Sequence, residues 1–210
     1  MDVPASLSNT EVDNRLTGPD TLATVLGKAA PAPPSTLVIF GAGGDLTKRL
    51  LMPSLYNLRA AGLLHDGFRV VGVDRLDLTD EGFRENLTTM MESFVTDHGG
   101  EFAPACLDEG AWGWLRHKLS YHKADFGDVA GFKALNEKLS GPCIFYLAIG
   151  AQFFGPVVEK LAEAGLLQEE GDAWRRLVVE KPFGHDLASA RALNQLILSH
   201  AGEHQVYRID

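Results

Sequence analysis

A chain of 210 residues is long enough for one α/β domain with a sizeable core, or a domain with a tail, and too short for two large domains. Hydrophobic residues make up 45% and charged residues 22%, and no run approaches the roughly 18 consecutive apolar residues of a membrane span. Nineteen Lys and Arg against 28 Asp and Glu give a net charge of -9, which disfavours a general nucleic-acid binder that works by neutralising phosphates.

Residues 1–35 are rich in Pro, Ser, Thr, Asn and Asp and offer little apolar surface to offset the entropy of ordering. They are expected to be a tail, with at most a short helix over "DTLATVLGKAA". The opening "MDVPASLSNTEVDNRL" lacks the basic stretch and apolar core of a secretory signal, so a cytoplasmic setting is the expectation. Strand-like and helix-like stretches then alternate. "TLVIF" (36–40) is followed by a helix from Asp45 to Leu64, and "FRVVGVD" (68–74) by a helix from Thr79 to Asp97. "EGAWGWLRHKL" reads as a short helix leading to the strand "SYHKADF", followed by a helix over "VAGFKALNEKL". "CIFYLAI" (143–149) precedes a helix from Phe153 to Leu167, "RRLVVEK" (175–181) one from Asp186 to His200, and "QVYRID" (205–210) is the last strand.

Runs such as "LVIF", "IFYLAI" and "LVVE" are apolar without alternation, as parallel strands covered on both faces should be. The pattern predicts a Rossmann-like, doubly wound parallel α/β sheet with helices on both faces. The chain stops at Asp210, inside a predicted strand, and is therefore expected to be the first part of a longer protein.

The turn "GAGGDL" joins the first strand to the first helix, the place where backbone N–H groups and a helix N-terminus approach a pyrophosphate. Gly41 and Gly43 satisfy two positions of G-x-G-x-x-G, but Leu46 occupies the third. Asp45 reads as the N-cap of the helix, a role open to it whether or not the turn binds a nucleotide. At the end of the second strand, Asp74 suits a free ribose 2′-hydroxyl and Arg75 a 2′-phosphate, so selectivity between NAD and NADP stays open on these residues. "VVEKPFGHDL" puts Glu180, Lys181 and Pro182 at the carboxyl end of the fifth strand, on the same edge of the sheet. Lys181 brings three donors there, and Pro182 fixes the chain direction behind it.

Other residues read as structural. Cys106 and Cys143 lie 37 positions apart without metal-ligand spacing and are expected to be reduced and structural. The seven histidines show no metal-ligand pairing, His185 reads as a solvent-facing helix entry, and Trp112, Trp114 and Trp174 read as packing residues.

Taken together, "GAGGDLTKRLLMPSLYNL", "VVGVDR", "FYLAIGAQFF", "VVEKPFGHDL" and "YRID" resemble the N-terminal coenzyme domain of the glucose-6-phosphate dehydrogenase family, in the same order, over residues 36–210. The resemblance implies that residues 36–210 bind NADP, with NAD a further possibility, in an enzyme that oxidises glucose 6-phosphate to 6-phosphogluconolactone in the pentose phosphate pathway. It implies a cofactor site made of Gly41, Ala42, Gly43, Gly44, Asp45, Leu46, Arg75, Ala148, Glu180 and Lys181, no metal, and Lys181 contacting both sugar and nicotinamide. It also implies a cis peptide before Pro182 and makes Asp210 the start of a sugar-phosphate segment whose His and Lys, like the general-base His, lie outside this chain. The catalytic and oligomerising part would then follow Asp210, the full protein would be a homo-oligomer, and the 210 residues alone would be an inactive monomer. Two departures stand out: Gly150 and Ala151 replace a pair of prolines, which predicts a looser loop, and Phe154 replaces a frequent Tyr. "EKP" is shared with glucose-fructose-oxidoreductase-like enzymes, so another sugar dehydrogenase, or a nucleotide-sensing domain without catalysis, is the alternative.

Overall fold

A computed structural model describes residues 30–96, 102, 104 and 106–209. The expectations for the tail before residue 30 and for Asp210 lie outside those residues. Six parallel strands are ordered β3-β2-β1-β4-β5-β6: β1 Thr36–Phe40, β2 Arg69–Asp74, β3 Leu119–Lys123, β4 Cys143–Leu147, β5 Arg175–Glu180 and β6 Val206–Ile209. Six α-helices connect them: α1 Met52–Ala60, α2 Asp80–Thr96, α3 Glu109–Lys118, α4 Val129–Lys138, α5 Phe154–Glu163 and α6 Leu187–His200. The doubly wound architecture is therefore as expected.

One core lies between the sheet and α4, α5 and α6, where Phe40, Phe145 and Leu177 meet Phe132, Val157, Leu161 and Ile197. Phe40 and Phe132 stack there with ring centroids 5.5 Å apart. The second core lies on the opposite face, where Leu37, Ile39 and Val70 meet Met52, Tyr56, Phe83, Leu87 and Leu115 of α1, α2 and α3. That second set of helices covers only part of its face. Along the row Gly72, Ile39, Tyr146, Val178 and Tyr207, set by the strand register, Ile39 is 0% exposed, Tyr146 and Val178 are half-buried, and Tyr207 is 51% exposed. The expectation that these runs are covered on both faces thus holds only in part for β4, whose Ile144 and Tyr146 are half-buried against the second core, and is corrected for β5. Apolar residues on both sides of a strand do not by themselves say which neighbour covers them.

Two helices end four residues before the sequence suggested, at Ala60 rather than Leu64 and at Glu163 rather than Leu167. Both stop on the same sequence, Ala-Gly-Leu-Leu. Gly62 and Gly165 adopt φ +71° and +74°, and Leu63 N–H and Leu166 N–H bond back to Leu58 and Leu161 carbonyls at 2.9 and 2.8 Å. This pattern satisfies the last helical carbonyls, and the buried Leu64, Leu166 and Leu167 fix the chain's exit. Helix starts follow the caps better: Asp108, Asp128 and Asp186 each accept a backbone N–H of the turn they open.

Among the described residues no helix is long and apolar enough to cross a membrane, and no group of His, Cys, Asp and Glu is arranged to hold a metal ion. Cys143 is a buried thiol whose pKa burial pushes up, whereas Cys106 is exposed, contrary to the structural role expected of it. Trp112 is buried as expected, while Trp114 carries the Arg59 guanidinium 4.1 Å from its ring centre.

Candidate cofactor site

β1 is buried along its whole length and delivers the glycine turn to the carboxyl edge of the sheet. There Gly41 N–H and Ala42 N–H bond to the Val73 carbonyl of β2 at 3.0 and 3.3 Å, so the turn is sewn to the neighbouring strand. Gly41 has φ +87°, and any Cβ on it would run into the Ala148 carbonyl oxygen beyond β4. Only glycine allows the backbones after β1 and β4 to pass this closely. Ala42 is buried in the core, Gly43 and Gly44 add no side chains of their own to the turn, with Asp74 and Leu76 lying beside Gly43, and Leu46 packs against the second core.

The tie across the turn comes from a residue the sequence reasoning missed. The buried Thr47 hydroxyl donates to the Gly41 carbonyl at 2.9 Å. Asp45, expected as the cap, already lies inside the first helical turn with its side chain exposed, and no side-chain capping bond forms there. The helix begins with a widened π turn over Thr47–Leu51 before α1, whose second residue is Pro53. A proline has no N–H to give and crowds the preceding turn, which a wider turn accommodates.

Asp74 closes β2 beside this turn. Its Oδ2 accepts Gly43 N–H at 2.9 Å and its Oδ1 accepts Arg75 N–H at 2.7 Å, so the half-buried carboxylate braces both the glycine turn and the loop after the strand. Arg75 is exposed at the same place. Behind the loop, the Tyr121 hydroxyl donates to the Leu76 carbonyl at 2.8 Å; burial, with the Asp74 and Asp77 charges, pushes its pKa up to about 12, so it stays a donor at neutral pH. Nothing in the sequence around Tyr121 signalled that role, since it depends on β3 lying next to β2.

On β4 and β5 the strand ends bring Ala148, Glu180 and Lys181 to the same edge. Phe40 pairs with Leu147 and Leu147 with Val179, so Gly41 and Lys181 stand about 10 Å apart across two strand spacings. Ala148 is buried and contributes its backbone. Glu180 accepts the Tyr146 hydroxyl, and burial followed by that bond raises the tyrosine's pKa. Lys181 is exposed, its N–H bonds to the Ile209 carbonyl at 3.3 Å, and its peptide to Pro182 is cis, as the resemblance implied. His185 is exposed as expected, and Asp186 forms a capping box with Ser189 for α6. Phe154 is buried in the α4–α6 core, a packing residue rather than a ligand. Gly150 has φ -62° and ψ 144°, values open to proline, and it opens a 3₁₀ turn over Ala151–Phe153. At Gly150 the backbone therefore follows a path that a proline could also take.

A side-chain-free turn over a helix start, a carboxylate at the end of β2 and a strand order that reverses between β1 and β4 are what a dinucleotide requires. These features define a dinucleotide-binding α/β domain of the Rossmann type. Residues 38–210 match the family described as "Glucose-6-phosphate dehydrogenase, NAD binding domain". Similar proteins include the glucose-6-phosphate 1-dehydrogenases of Chlamydia pneumoniae, 37% identical over 201 residues, and of Bacillus subtilis (strain 168), 36% identical over 192 residues. These alignments cover 89% and 87% of this chain but 38% and 36% of the two relatives. Among solved structures, glucose-6-phosphate 1-dehydrogenase from Mycobacterium avium superposes with a TM-score of 0.73 at 32% identity, over 85% of this chain and 36% of that one. A glucose-6-phosphate dehydrogenase in complex with its substrate gives a TM-score of 0.70 at 28% identity, over 87% of this chain and 37% of that one. The chain belongs to the glucose-6-phosphate dehydrogenase family and corresponds to its coenzyme-binding part, somewhat over a third of the length of these relatives.

Proposed function

We propose that this chain is the coenzyme-binding domain of a glucose-6-phosphate 1-dehydrogenase, which oxidises glucose 6-phosphate at C1 to 6-phosphogluconolactone in the pentose phosphate pathway. The observation that carries the reading is the placement of the Gly41 turn and Lys181 on one sheet edge, one suited to a pyrophosphate and the other to the reacting end. When bound, the nicotinamide cofactor supplies the hydride acceptor. Gly43 and Gly44 add no side chain where the pyrophosphate would lie, Gly41 lets the turn pass close to Ala148, and the first N–H groups of the helix that follows would face the pyrophosphate. Arg75 offers the guanidinium for the 2′-phosphate of NADP. Lys181, held by the Pro182 backbone behind it, orients sugar and nicotinamide, and Glu180 is fixed beside it by Tyr146. Removal of the C1 hydroxyl proton and recognition of the sugar phosphate are assigned to chain beyond these 210 residues, with Asp210 at the junction. A homo-oligomeric full protein and a cytoplasmic setting belong to the same reading.

The test compares the natural full-length polypeptide with the 210-residue chain. The expected outcome is NADP- or NAD-dependent turnover of glucose 6-phosphate by the former, little turnover of unphosphorylated glucose, and none by the latter. Normal dehydrogenase activity of the 210 residues alone, or a preference for unphosphorylated sugars, would sink the assignment.

A further inference from the structure

Arg75 and Asp74 stand side by side where the adenosine ribose is read, and they ask for opposite things. An arginine there favours a 2′-phosphate, whereas a carboxylate accepts hydrogen bonds from a free 2′-hydroxyl. The two differ in how they are held. Arg75 reaches into solvent from an exposed position, while the Asp74 carboxylate is half-buried and pinned by two backbone N–H groups, from Gly43 at 2.9 Å and from Arg75 at 2.7 Å.

Those two bonds do more than brace the loops. An ionised carboxylate offers about four acceptor sites, so two are left over after Gly43 and Arg75, and its position no longer has to be found on binding. The same carboxylate adjoins the glycine turn itself: a Cβ on Gly43 would stand 3.1 Å from Asp74 Oδ2. Any group that occupies the space beside Gly43 at the end of β2 therefore meets this charge. A ribose diol donates to it. A 2′-phosphate, carrying about -1.5 to -2 at neutral pH as phosphate monoesters do, is repelled by it across a site already partly closed to water.

Resting on the proposed dinucleotide function, we infer that Asp74 is the specificity-determining residue of this cofactor site, turning it toward NAD while Arg75 still admits NADP. The rigid, partly desolvated group dominates over the flexible, solvated one, because a guanidinium in water gains little from a charge it must first be ordered to meet.

The experiment titrates NAD and NADP separately, by calorimetry, into the full-length protein and into its Asp74→Asn, Asp74→Ala and Arg75→Ala variants. The quantity read is the ratio of the two dissociation constants within each protein, which cancels any loss of folded material because both nucleotides meet the same folded fraction. Wild-type protein is expected to bind NAD at least as tightly as NADP. Both Asp74 variants are expected to shift the ratio toward NADP by about tenfold or more, the scale of one charge-assisted contact, and Arg75→Ala to shift it toward NAD. NADP binding more tightly than NAD in the wild type, or a smaller shift in both Asp74 variants, overturns the inference and leaves the proposed function standing. Failure of the wild-type protein to bind either nucleotide overturns both.

Discussion

In β1 both faces are sealed: Val38 and Phe40 point into one core and Leu37 and Ile39 into the other, and all four are buried. In β5 the alternate residues part company, with Leu177 and Val179 fully buried under α5 and α6 while Val178 and Glu180 remain half-buried on the opposite face. The two halves of one sheet thus serve different ends. The β1–β3 half holds a turn whose shape is fixed by its surroundings, through Val73, Thr47 and Asp74. The β4–β6 half leaves Lys181, Tyr207 and Ile209 exposed near its carboxyl edge, reachable by a substrate or by further chain. Under the proposed function, rigidity would suit the half that holds the cofactor fragment, and access the half where the reactants would meet.

The halves are locked together where Gly41 passes Ala148, and a substitution there should have the largest effect. Gly41→Ala combines a backbone collision with a positive φ and should cost about 3 kcal/mol, with loss of nucleotide binding. Gly62→Ala, also at positive φ but in open space, should cost only about 1 kcal/mol. Equal shifts in urea midpoint for the two would remove the clamp from the account.

A pair on adjacent residues of β5 reads the difference between faces directly. Val179→Ala should destabilise the 210-residue chain by about 2 kcal/mol through lost burial and the cavity left, and Val178→Ala by about 1 kcal/mol or less. If chemical denaturation gives the same loss for both, the second face is covered after all.

Acid titration should separate the halves again, with a smaller effect. His122 on β3 is held below its ordinary value of 6.5, first by burial and also by the Lys138 ammonium, against the pull of the Gly131 carbonyl at 2.8 Å. The unfolded chain therefore binds that proton at higher pH than the folded one, so stability falls as pH drops below about 6.5. Glu169, before β5, is held down to about 2 by the Arg175 N–H first, then by His204 and Arg176. Its contribution is fully present above its ordinary 4.5 and is lost as pH falls from there toward 2. Denaturation midpoints measured across this range should lose the first slope in His122→Gln and the second in Glu169→Gln; slopes unchanged in both variants would contradict these assignments. The smallest effect belongs to the open face. Tyr207→Ser on the exposed edge strand should change stability by less than about 0.5 kcal/mol, and a larger loss on thermal unfolding would mean that something packs on β6.

Much of this could be read in the residues alone. The six strands, their parallel arrangement and the glycine turn follow from apolar runs spaced by helical stretches, because that alternation leaves few packing solutions. The two overrun helices, at Ala60 and Glu163, show where local pattern misleads: leucines after Ala-Gly look like further helical turns, yet Leu64, Leu166 and Leu167 are buried by a chain that has already reversed at the glycine. Asp45 misled in the same way, since a carboxylate at a helix start is ordinarily a cap, and here Thr47 does the tying from inside the turn. Tyr121 and Tyr146 gave no signal, because their partners Leu76 and Glu180 lie 45 and 34 residues away in sequence.

By itself the sequence determined the order of elements, the two clusters at the carboxyl edge and the family that carries them, all properties of short-range pattern. Tertiary structure alone decided that Asp74 braces Gly43, that Gly41 is pressed against Ala148, and that one face becomes progressively more open from β4 to β6 among the described elements. Each of these depends on which strand lies beside which, and that is set by the burial of the whole chain rather than by any residue's neighbours in sequence.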